Sequence, residues 1–457
     1  MLKLLPLRLR SIAYAMRGGF LIRPLAIALV LGLCGAVFSS IEEVYPGIAD
    51  WVPATLFPSH EDAPVAQTIL SVIATATMTV VSIVFAILLM SLTLASMQFT
   101  PRILISLVRD QATQWTLGIF LGTFAYCVGA LPAAHSVPQP FAPVLTVLGA
   151  MALTVASIFW LLYFIQHISH AISVNHIVDR IARETEHVID GLMPWPRSHA
   201  PRAPALPPPP EEPELPILNE VSGYIRFIDT GRLVAFARMY HLRVRVTRRV
   251  GQFVPAGVPL FMVSRRTRLD RLHAVQLTGA FDIGPMRTLQ QDVEFGVLLI
   301  VDIALRAISP AVNDPSTAIS CIDQLSRILI RWIDRMPPET LYYSPPHVPR
   351  VMVPWISLEQ LLDTAIEQIR AYGKSDAAVS LRLLRLLRDV AATTDDAGLR
   401  RQLVERGGRI VSGCEGHLPL EDLNRLALRL ALLEDECRPP PLPAADGVRG
   451  RRAEPLV

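Results

Sequence analysis

Four long apolar segments in the first 170 residues constrain the fold of this chain more than any other feature. They lie at about 24–41, 70–98, 113–133 and 141–165. Each approaches or exceeds the roughly 20 residues that a helix needs to cross the hydrocarbon core of a bilayer. We therefore expect residues 1–177 to form a transmembrane domain of four helices, with the lipid bilayer as its first partner.

The charged residues divide the 457-residue chain into two unlike halves. Residues 1–192 hold 9 Lys and Arg and 10 Asp and Glu, and the remaining 34 and 30 lie in residues 193–457. The net charge of +3 favours no particular partner, and neither stacking aromatics nor a helix-turn-helix accompanies the basic residues, so we expect no nucleic-acid binding. The five cysteines have no CxxC or Cys/His spacing, which predicts neither a disulfide framework nor a metal site.

The charges that flank the apolar segments predict their orientation. Five basic residues precede the first segment, and basic residues also follow the second and the fourth, whereas the loop at 42–62 has no Lys or Arg. Basic loops remain in the cytoplasm during membrane insertion. Both termini should therefore be cytoplasmic.

The second apolar segment carries a stripe of small and hydroxylated side chains with a period of about 3.6 residues. Leu89 is its one large apolar member, and the others are Ser71, Thr75, Thr79, Ser82, Ala86, Thr93 and Ser96. Small residues let helices approach closely, so one interpretation is a packing face. The other is a wetted permeation path for a small solute or ion. No carboxylate or Arg lies in the core of any segment, which counts against a proton-coupled transporter.

Two histidines at the end of the fourth segment are one helical turn apart. His167 and His170 could form a metal pair, but the spacing reveals no third ligand. We therefore interpret them as interfacial or capping residues and expect no metal and no cofactor.

The second half begins with a helical extension and a Pro-rich linker at 178–216, followed by a small cytoplasmic α+β unit at 217–283. The unit should contain a strand at 221–229, a helix at 231–241 and a strand at 242–250. The second strand places Arg243, Arg245 and Arg249 on one face. These residues are either a solvated surface or contacts to anionic lipid headgroups.

Residues 284–437 should form a cytoplasmic helical domain, and residues 438–457 a disordered tail. Thr288 to Gln291 has the pattern of a capping box that starts a helix. Asp314 followed by Pro315 has the chemistry of an N-cap and a first helical residue. The spacing also predicts i, i+4 ion pairs between Asp302 and Arg306 and between Asp323 and Arg327.

Two stretches of this chain resemble the signatures of a bacterial domain-of-unknown-function family of predicted multi-pass membrane proteins. One is Thr-Pro-Arg at 100–102. The other is Gln-Gln-Asp-Val-Glu-Phe-Gly at 290–296, which leads through Val-Asp-Ile-Ala-Leu-Arg at 301–306 to Ser-Pro-Ala-Val-Asn-Asp-Pro at 309–315. The resemblance spans roughly residues 20–420. It implies a location in the bacterial plasma (inner) membrane and implies no reaction.

The polar residues of the second signature have two interpretations. They cap and pair around a hinge between two helices, or they form a ligand or gating site built from Arg287, Asp292, Asp302, Arg306, Asn313 and Asp314. No hydrolase or nucleotide-binding motif occurs in the chain. We therefore expect no enzyme and no catalytic residues.

The fold class predicted from the sequence is an α-helical membrane domain of four transmembrane helices with a cytoplasmic α+β unit and a helical domain. The first hypothesis for function is an oligomeric channel or permease for a small solute or ion, gated by the cytoplasmic part and built as a homo-oligomer. The alternative is a membrane-bound sensor or scaffold that transports nothing.

Overall fold

The computed structural model describes residues 22–49, 52, 62–98, 111–135, 140–171, 173–197, 213–264, 271–345 and 347–438. Its first four helices are α1 (Ile22–Val44), α2 (Ala63–Gln98), α3 (Gln111–Ala130) and α4 (Val144–Ala171). All four are long and apolar enough to cross a membrane, which confirms the prediction of four apolar helices. The Thr-Pro-Arg signature at 100–102 and the tail after Arg438 lie outside the described residues.

Helices α1 and α3 approach each other through small residues. A Cβ atom added to Gly35 would overlap the backbone of Tyr126, and one added to Gly129 would overlap the backbone carbonyl of Gly32. Lipid tails are as apolar as leucine, so helices in a bilayer gain stability from close van der Waals contact rather than from hydrophobic burial. The glycines make this contact possible.

Helices α3 and α4 are joined by hydrogen bonds between polar side chains. Trp160 Nε1 donates to Thr116 Oγ1 at 3.0 Å, and the hydroxyls of Thr123 and Ser157 lie 3.3 Å apart. Thr116 and Thr123 are fully buried. In an apolar environment such paired hydroxyls hold neighbouring helices together.

A buried carboxylate joins the end of α1 to the start of α4. Glu42, in the last turn of α1, accepts hydrogen bonds from the backbone N–H groups of Leu145 and Thr146 at 2.8 and 3.1 Å. These N–H groups are among those that the start of α4 leaves without a partner inside the helix. Glu42 therefore caps α4 and compensates its own burial.

The polar half of the molecule begins only two residues after α4. Its elements in chain order are α5 (Val174–Leu192), β1 (Glu214–Leu218), β2 (Gly223–Ile228), α6 (Thr230–Met239), β3 (Val244–Val246), β4 (Phe253–Val254), β5 (Pro259–Ser264), α7 (Arg271–Thr278), β6 (Phe281–Gly284), α8 (Val293–Ala307), α9 (Pro315–Asp334), β7 (Leu341–Ser344), β8 (Val348–Met352), α10 (Leu358–Tyr372), α11 (Ala377–Ala391), α12 (Ala397–Cys414) and α13 (Leu420–Cys437). A sheet-containing α+β region followed by a helical region is the predicted fold class.

The α+β unit contains two sheets around one core. The larger sheet has the strand order β1-β5-β3-β8-β7 and the smaller has the order β4-β2-β6. Strands β7 and β8 come from residues 341–352, and β3 pairs with β8 in parallel. No strands were predicted at these positions, although β7 and β8 also pair with each other as a local antiparallel hairpin.

Two local predictions in this half are wrong. The strand expected at 242–250 is only β3, because the chain turns afterwards and reaches Gly251 with a φ of +87°. The helix expected to start in a capping box at Thr288 starts instead after Asp292, whose side chain accepts a hydrogen bond from Phe295 N. The amide of Gln291 is engaged elsewhere, with the backbone of Ile228.

The helical region and α5 share a single hydrophobic core. Buried side chains of α5 such as Ile177, Ile181 and Ile189 belong to the same cluster as those of α8 to α13. The helix that follows the fourth apolar helix after two residues therefore buries its apolar face in the core of the helical domain.

Candidate functional site

Four charged side chains meet where the α+β unit contacts the start of α8. We call Arg249, Arg287, Asp292 and Glu294 the coupling cluster. Arg287 donates to Asp292 Oδ2 at 2.7 Å and Oδ1 at 2.8 Å, and to Glu294 Oε2 at 2.8 Å. Arg249 donates to both carboxylate oxygens of Glu294 at 2.9 Å. Because Arg249 belongs to the α+β unit, the cluster joins that unit to the helical domain.

The charges of the coupling cluster balance one another. Two guanidinium groups face two carboxylates, and every one of the four side chains is at least 84% buried. Burial opposes ionisation of Glu294, but hydrogen bonds from Arg249 and Arg287 outweigh it and hold the pKa of Glu294 below its ordinary value of 4.5. Burial likewise opposes the charge on Arg287, yet its carboxylate partners raise its pKa. The cluster therefore acts as a link between two units and leaves no net charge to attract an ion.

Two neighbouring residues fix the cluster against the α+β unit. Gly251 has φ +87°, and a Cβ atom there would overlap Asp292 and Arg287. Gln291 receives a hydrogen bond from Ile228 N at 2.8 Å and donates to Ile228 O at 3.3 Å. Strand β2 is thereby tied to the residue that precedes the cap of α8.

A second set of ion pairs connects α5 to α9. Arg327 donates to Glu186 at 2.8 Å and to Asp179 at 3.0 Å, and Arg331 donates to Asp190 at 2.9 and 2.8 Å. We call these contacts the α5–α9 ladder. The hydrogen bond from Arg331, aided by its charge, holds the pKa of Asp190 below its ordinary value. The side chain of Arg327 therefore pairs with acidic residues of α5. The predicted i, i+4 ion pair between Asp323 and Arg327 is wrong, because Asp323 pairs instead with Arg382 of α11.

The structure separates the six residues of the predicted ligand or gating site. Arg287 and Asp292 lie together in the coupling cluster at the start of α8. Asn313 and Asp314 lie past its other end, about 22 Å away at 1.5 Å per residue. Asp302 and Arg306 belong to α8 and lie between these two pairs of residues. Both have interaction partners. The six residues therefore line the length of one helix rather than a single pocket.

The connection from α8 to α9 has the predicted cap. Asp314 accepts a hydrogen bond from Thr317 N at 3.1 Å and one from Thr317 Oγ1 at 2.5 Å, and Pro315 is the first residue of α9. The Thr317 bonds hold the pKa of Asp314 below its ordinary value. Asn313 is exposed and has a φ of +50°, a left-handed conformation that non-glycine residues seldom adopt.

The three arginines predicted to contact lipid headgroups differ in their surroundings. Arg245 donates to Glu214 of β1 at 3.0 and 3.1 Å, and Arg249 belongs to the coupling cluster. Arg243 also has an interaction partner. Two of the three side chains are therefore held by carboxylates of the chain itself.

The hydroxyl stripe of α2 faces away from α3 and α4. Ser71, Thr75, Thr79, Ser82 and Thr93 are exposed, and 51% of Leu89 is exposed. The side chain of Ser96 lies outside the described residues. The hydroxyls donate to carbonyls four residues earlier in the same helix, at 2.8 Å for Thr75, 2.9 Å for Thr79, 3.1 Å for Ser82 and 2.8 Å for Thr93. Within the described bundle the stripe therefore lines the outer surface.

At the end of α4, the ring of His167 stacks on that of Tyr163, with their centroids 5.9 Å apart. The side chain of His170 lies outside the described residues. The predicted absence of a metal pair therefore stays a prediction.

Sequence reasoning missed the residues that complete these contacts. Glu294 lies inside the quoted signature but was not assigned to the site, and the acids of α5 were not assigned at all. One signal was available for α5: its acidic positions 179, 186 and 190 share a helix face, as do the basic positions 327, 331 and 335 of α9. Matching stripes of opposite charge indicate two helices that pack together.

Comparisons with known proteins agree on the class of protein. A family model described as "Predicted membrane protein (DUF2254)" matches residues 17–389. An uncharacterized protein of Mycobacterium tuberculosis is 34% identical over 341 residues, which are 73% of this chain and 65% of the relative. An uncharacterized protein of Mycobacterium bovis is 33% identical, with the same two shares. The match covers about 65% of the length of these curated relatives. No solved structure matches the chain.

Proposed function

This chain belongs to the DUF2254 family of predicted membrane proteins, and from that premise we propose that it is a membrane-anchored sensor. In this proposal the α+β unit receives a signal, and the polar half transmits it to the fourth apolar helix. The proposal includes no catalytic step. The observation that carries it is the coupling cluster, which joins Arg249 of the α+β unit to Glu294 at the start of α8.

The path of transmission follows contacts between packed helices. Helix α8 packs on α5, where Gly296 lies so close to Thr185 that a Cβ atom would overlap the Thr185 side chain. Helix α5 is held to α9 by the α5–α9 ladder and follows α4 after two residues. A displacement of the α+β unit therefore has closely packed helices, α8 and α5, through which to reach the end of α4.

A spin label near the junction of α4 and α5 tests this function. The label is placed on an exposed residue of α4, in the variant Gln166→Cys of a chain whose partly exposed Cys34 and Cys437 are replaced by serine. The mobility of the label is compared with and without Arg287→Ala. We expect the loss of Arg287 to change the spectrum of the label. The control is Arg425→Ala, which removes an exposed pair with Glu421 on α13. A label that responds equally to both substitutions, or to neither, contradicts transmission.

A second candidate function is a conduit between protomers of a homo-oligomer. The observation in its favour is the outward hydroxyl stripe of α2, which a second copy of the chain could convert into a lined path. In that case Leu89→Ser should raise ion leak in liposomes by wetting an apolar constriction. The matched control is Met90→Ser, since Met90 is also exposed, by 67% against 51% for Leu89, but lies off the stripe. Background leak from both folded variants argues against the conduit.

The proposed location is the bacterial plasma (inner) membrane, with both termini in the cytoplasm. The support is the basic residues that flank the apolar helices on one side only. A reporter fused after Pro210 should report the cytoplasm, and one inserted at Ser59 should report the outside. Labelling of a cysteine introduced at Pro210 by a reagent that cannot cross the membrane contradicts this orientation.

A further inference from the structure

Helices α5 and α9 run parallel and in register. Four contacts join residues that are 141 positions apart: Glu186 with Arg327, Asp190 with Arg331, Pro194 with Arg335, and Trp195 with Met336. The same offset places Val174, the first residue of α5, level with Pro315, the first residue of α9. Both helices therefore start at the same end of the polar half.

That end is the one nearest to the apolar helices. Only residues 172 and 173 separate the end of α4 from the start of α5. Helix α8 runs in the opposite direction, because Gly296 near its start contacts Thr185 in the second half of α5 and only residues 308–314 separate its end from the start of α9. Its last turn consequently returns to the level of Val174. The loop at 308–314 thus lies where the chain leaves the fourth apolar helix.

A second loop lies beside the first. A Cβ atom added to Gly373, between α10 and α11, would be 3.7 Å from Ile308 Cδ1. The neighbours of this glycine, Tyr372 and Lys374, are exposed, Tyr372 by 72%. In the first loop Pro310, Ala311 and Val312 are exposed, Val312 by 52%. Apolar, aromatic and basic side chains thus share one end of the polar half.

This combination of residues fits the interface between lipid and water. Tyrosine rings concentrate at the level of lipid headgroups, and lysine places its stem along apolar groups while its ammonium reaches the phosphates. We propose that Pro310, Ala311, Val312, Tyr372 and Lys374 form a membrane-facing surface that contacts the phospholipid headgroup region beside the apolar helices. We assign lipid as the partner of this surface because the surface adjoins the end of α4, an apolar helix that itself requires lipid. This contact does not depend on the proposed sensor function.

A fluorescent label that reports lipid contact tests the surface. The full chain carries Val312→Cys in a background where the partly exposed Cys34 and Cys437 are replaced by serine. It is labelled with an environment-sensitive fluorophore and placed in nanodiscs of phosphatidylcholine and phosphatidylglycerol. Lipids that carry a nitroxide near the headgroup should quench the label. A second reporter, Tyr372→Cys, should behave in the same way.

The matched control is Met286→Cys. Met286 is 52% exposed, as Val312 is, but it lies next to Arg287 at the opposite end of α8. Its label should be quenched by aqueous iodide and not by nitroxide lipids. Equal lipid quenching at positions 286 and 312 overturns the proposal. A label at 312 that neither iodide nor nitroxide lipid quenches also overturns it, because protein then covers the loop.

Discussion

In the apolar half, residues 22–171, the helices meet through glycines and hydroxyl groups; in the polar half, residues 174–438, they meet through ion pairs around a large hydrophobic core. Gly35 allows α1 to touch the backbone of α3, whereas Arg327 holds α5 to α9 through two carboxylates. The difference follows from the solvent. Lipid provides no hydrophobic driving force for helix association, so helices in a bilayer associate through close van der Waals contact. Water makes the burial of apolar side chains favourable, and ion pairs between surface charges then determine which helices pack together.

The junction between the two halves combines both kinds of contact, close approach at a glycine and ion pairs. Helix α5 contributes its apolar face to the core of the helical region and its acidic face to α9, and Thr185 contacts Gly296 as closely as the apolar helices contact one another. The helix that follows α4 is therefore packed against both α8 and α9.

The largest expected effect comes from breaking the coupling cluster. Arg287→Ala leaves Asp292, which is 2% exposed, without its bidentate partner, and removal of one member of a buried ion pair costs about 3–5 kcal/mol. We expect the free energy of unfolding of the polar half to fall by this amount in chemical denaturation. A loss below about 1 kcal/mol, as for an exposed pair, contradicts a stabilising role for the cluster.

A smaller effect should distinguish the glycines of the two halves. Gly35→Ala places a Cβ atom against the backbone of Tyr126, which cannot move aside like a side chain, so it should destabilise the apolar half by about 1–3 kcal/mol. Gly191→Ala in α5 meets nothing within 4 Å and should be neutral or slightly stabilising. Thermal unfolding in detergent measures both. Equal effects would mean that the α1–α3 contact does not depend on close approach.

The cap of α9 should contribute about 1 kcal/mol. Asp314→Ala removes the acceptor for Thr317 N and should lower stability by that amount, while Asp314→Ser can retain the cap. Thermal unfolding measures both. If the serine variant keeps its stability but changes the spectrum of the spin label at position 166, Asp314 does more than cap the helix.

The smallest expected effect is the pH dependence of the stability that Glu294 contributes. The folded pKa of Glu294 lies below its ordinary value of 4.5, so its contribution to stability is present above that value and is lost as the pH falls through the folded pKa. The stability gap between the wild type and Glu294→Gln should therefore be constant from pH 7 to about 5.5 and shrink below pH 4.5. A gap that stays constant down to pH 3 means that Glu294 is not held as a carboxylate by Arg249 and Arg287.

Local determinants predict two parts of this molecule well. The four apolar helices follow from the bilayer's thickness, and the Asp314–Pro315 start of α9 follows from the capping chemistry of two adjacent residues. Prediction fails where a distant partner competes with a near one. Asp323 could pair with Arg327 one turn away, but Arg382 reaches it instead, and Arg327 binds α5.

The same reason explains what was missed at the site. Glu42 falls within the predicted loop at 42–62, and only the fold brings the start of α4 to it. The coupling cluster likewise joins Arg249 to Glu294, which lie 45 positions apart in different structural units. Such contacts have no periodicity or motif in the sequence.

In the proposed sensor, the coupling cluster connects the α+β unit to the fourth apolar helix through α8 and α5. Hydrogen exchange of the full chain in nanodiscs, read by mass spectrometry, tests this connection when the wild type, Arg287→Ala and the control Arg425→Ala are compared. We predict that Arg287→Ala accelerates amide exchange in α8, α5 and the last turns of α4, and that Arg425→Ala leaves all three unchanged. Faster exchange confined to residues 284–300, with α5 and α4 as protected as in the wild type, would contradict this connection.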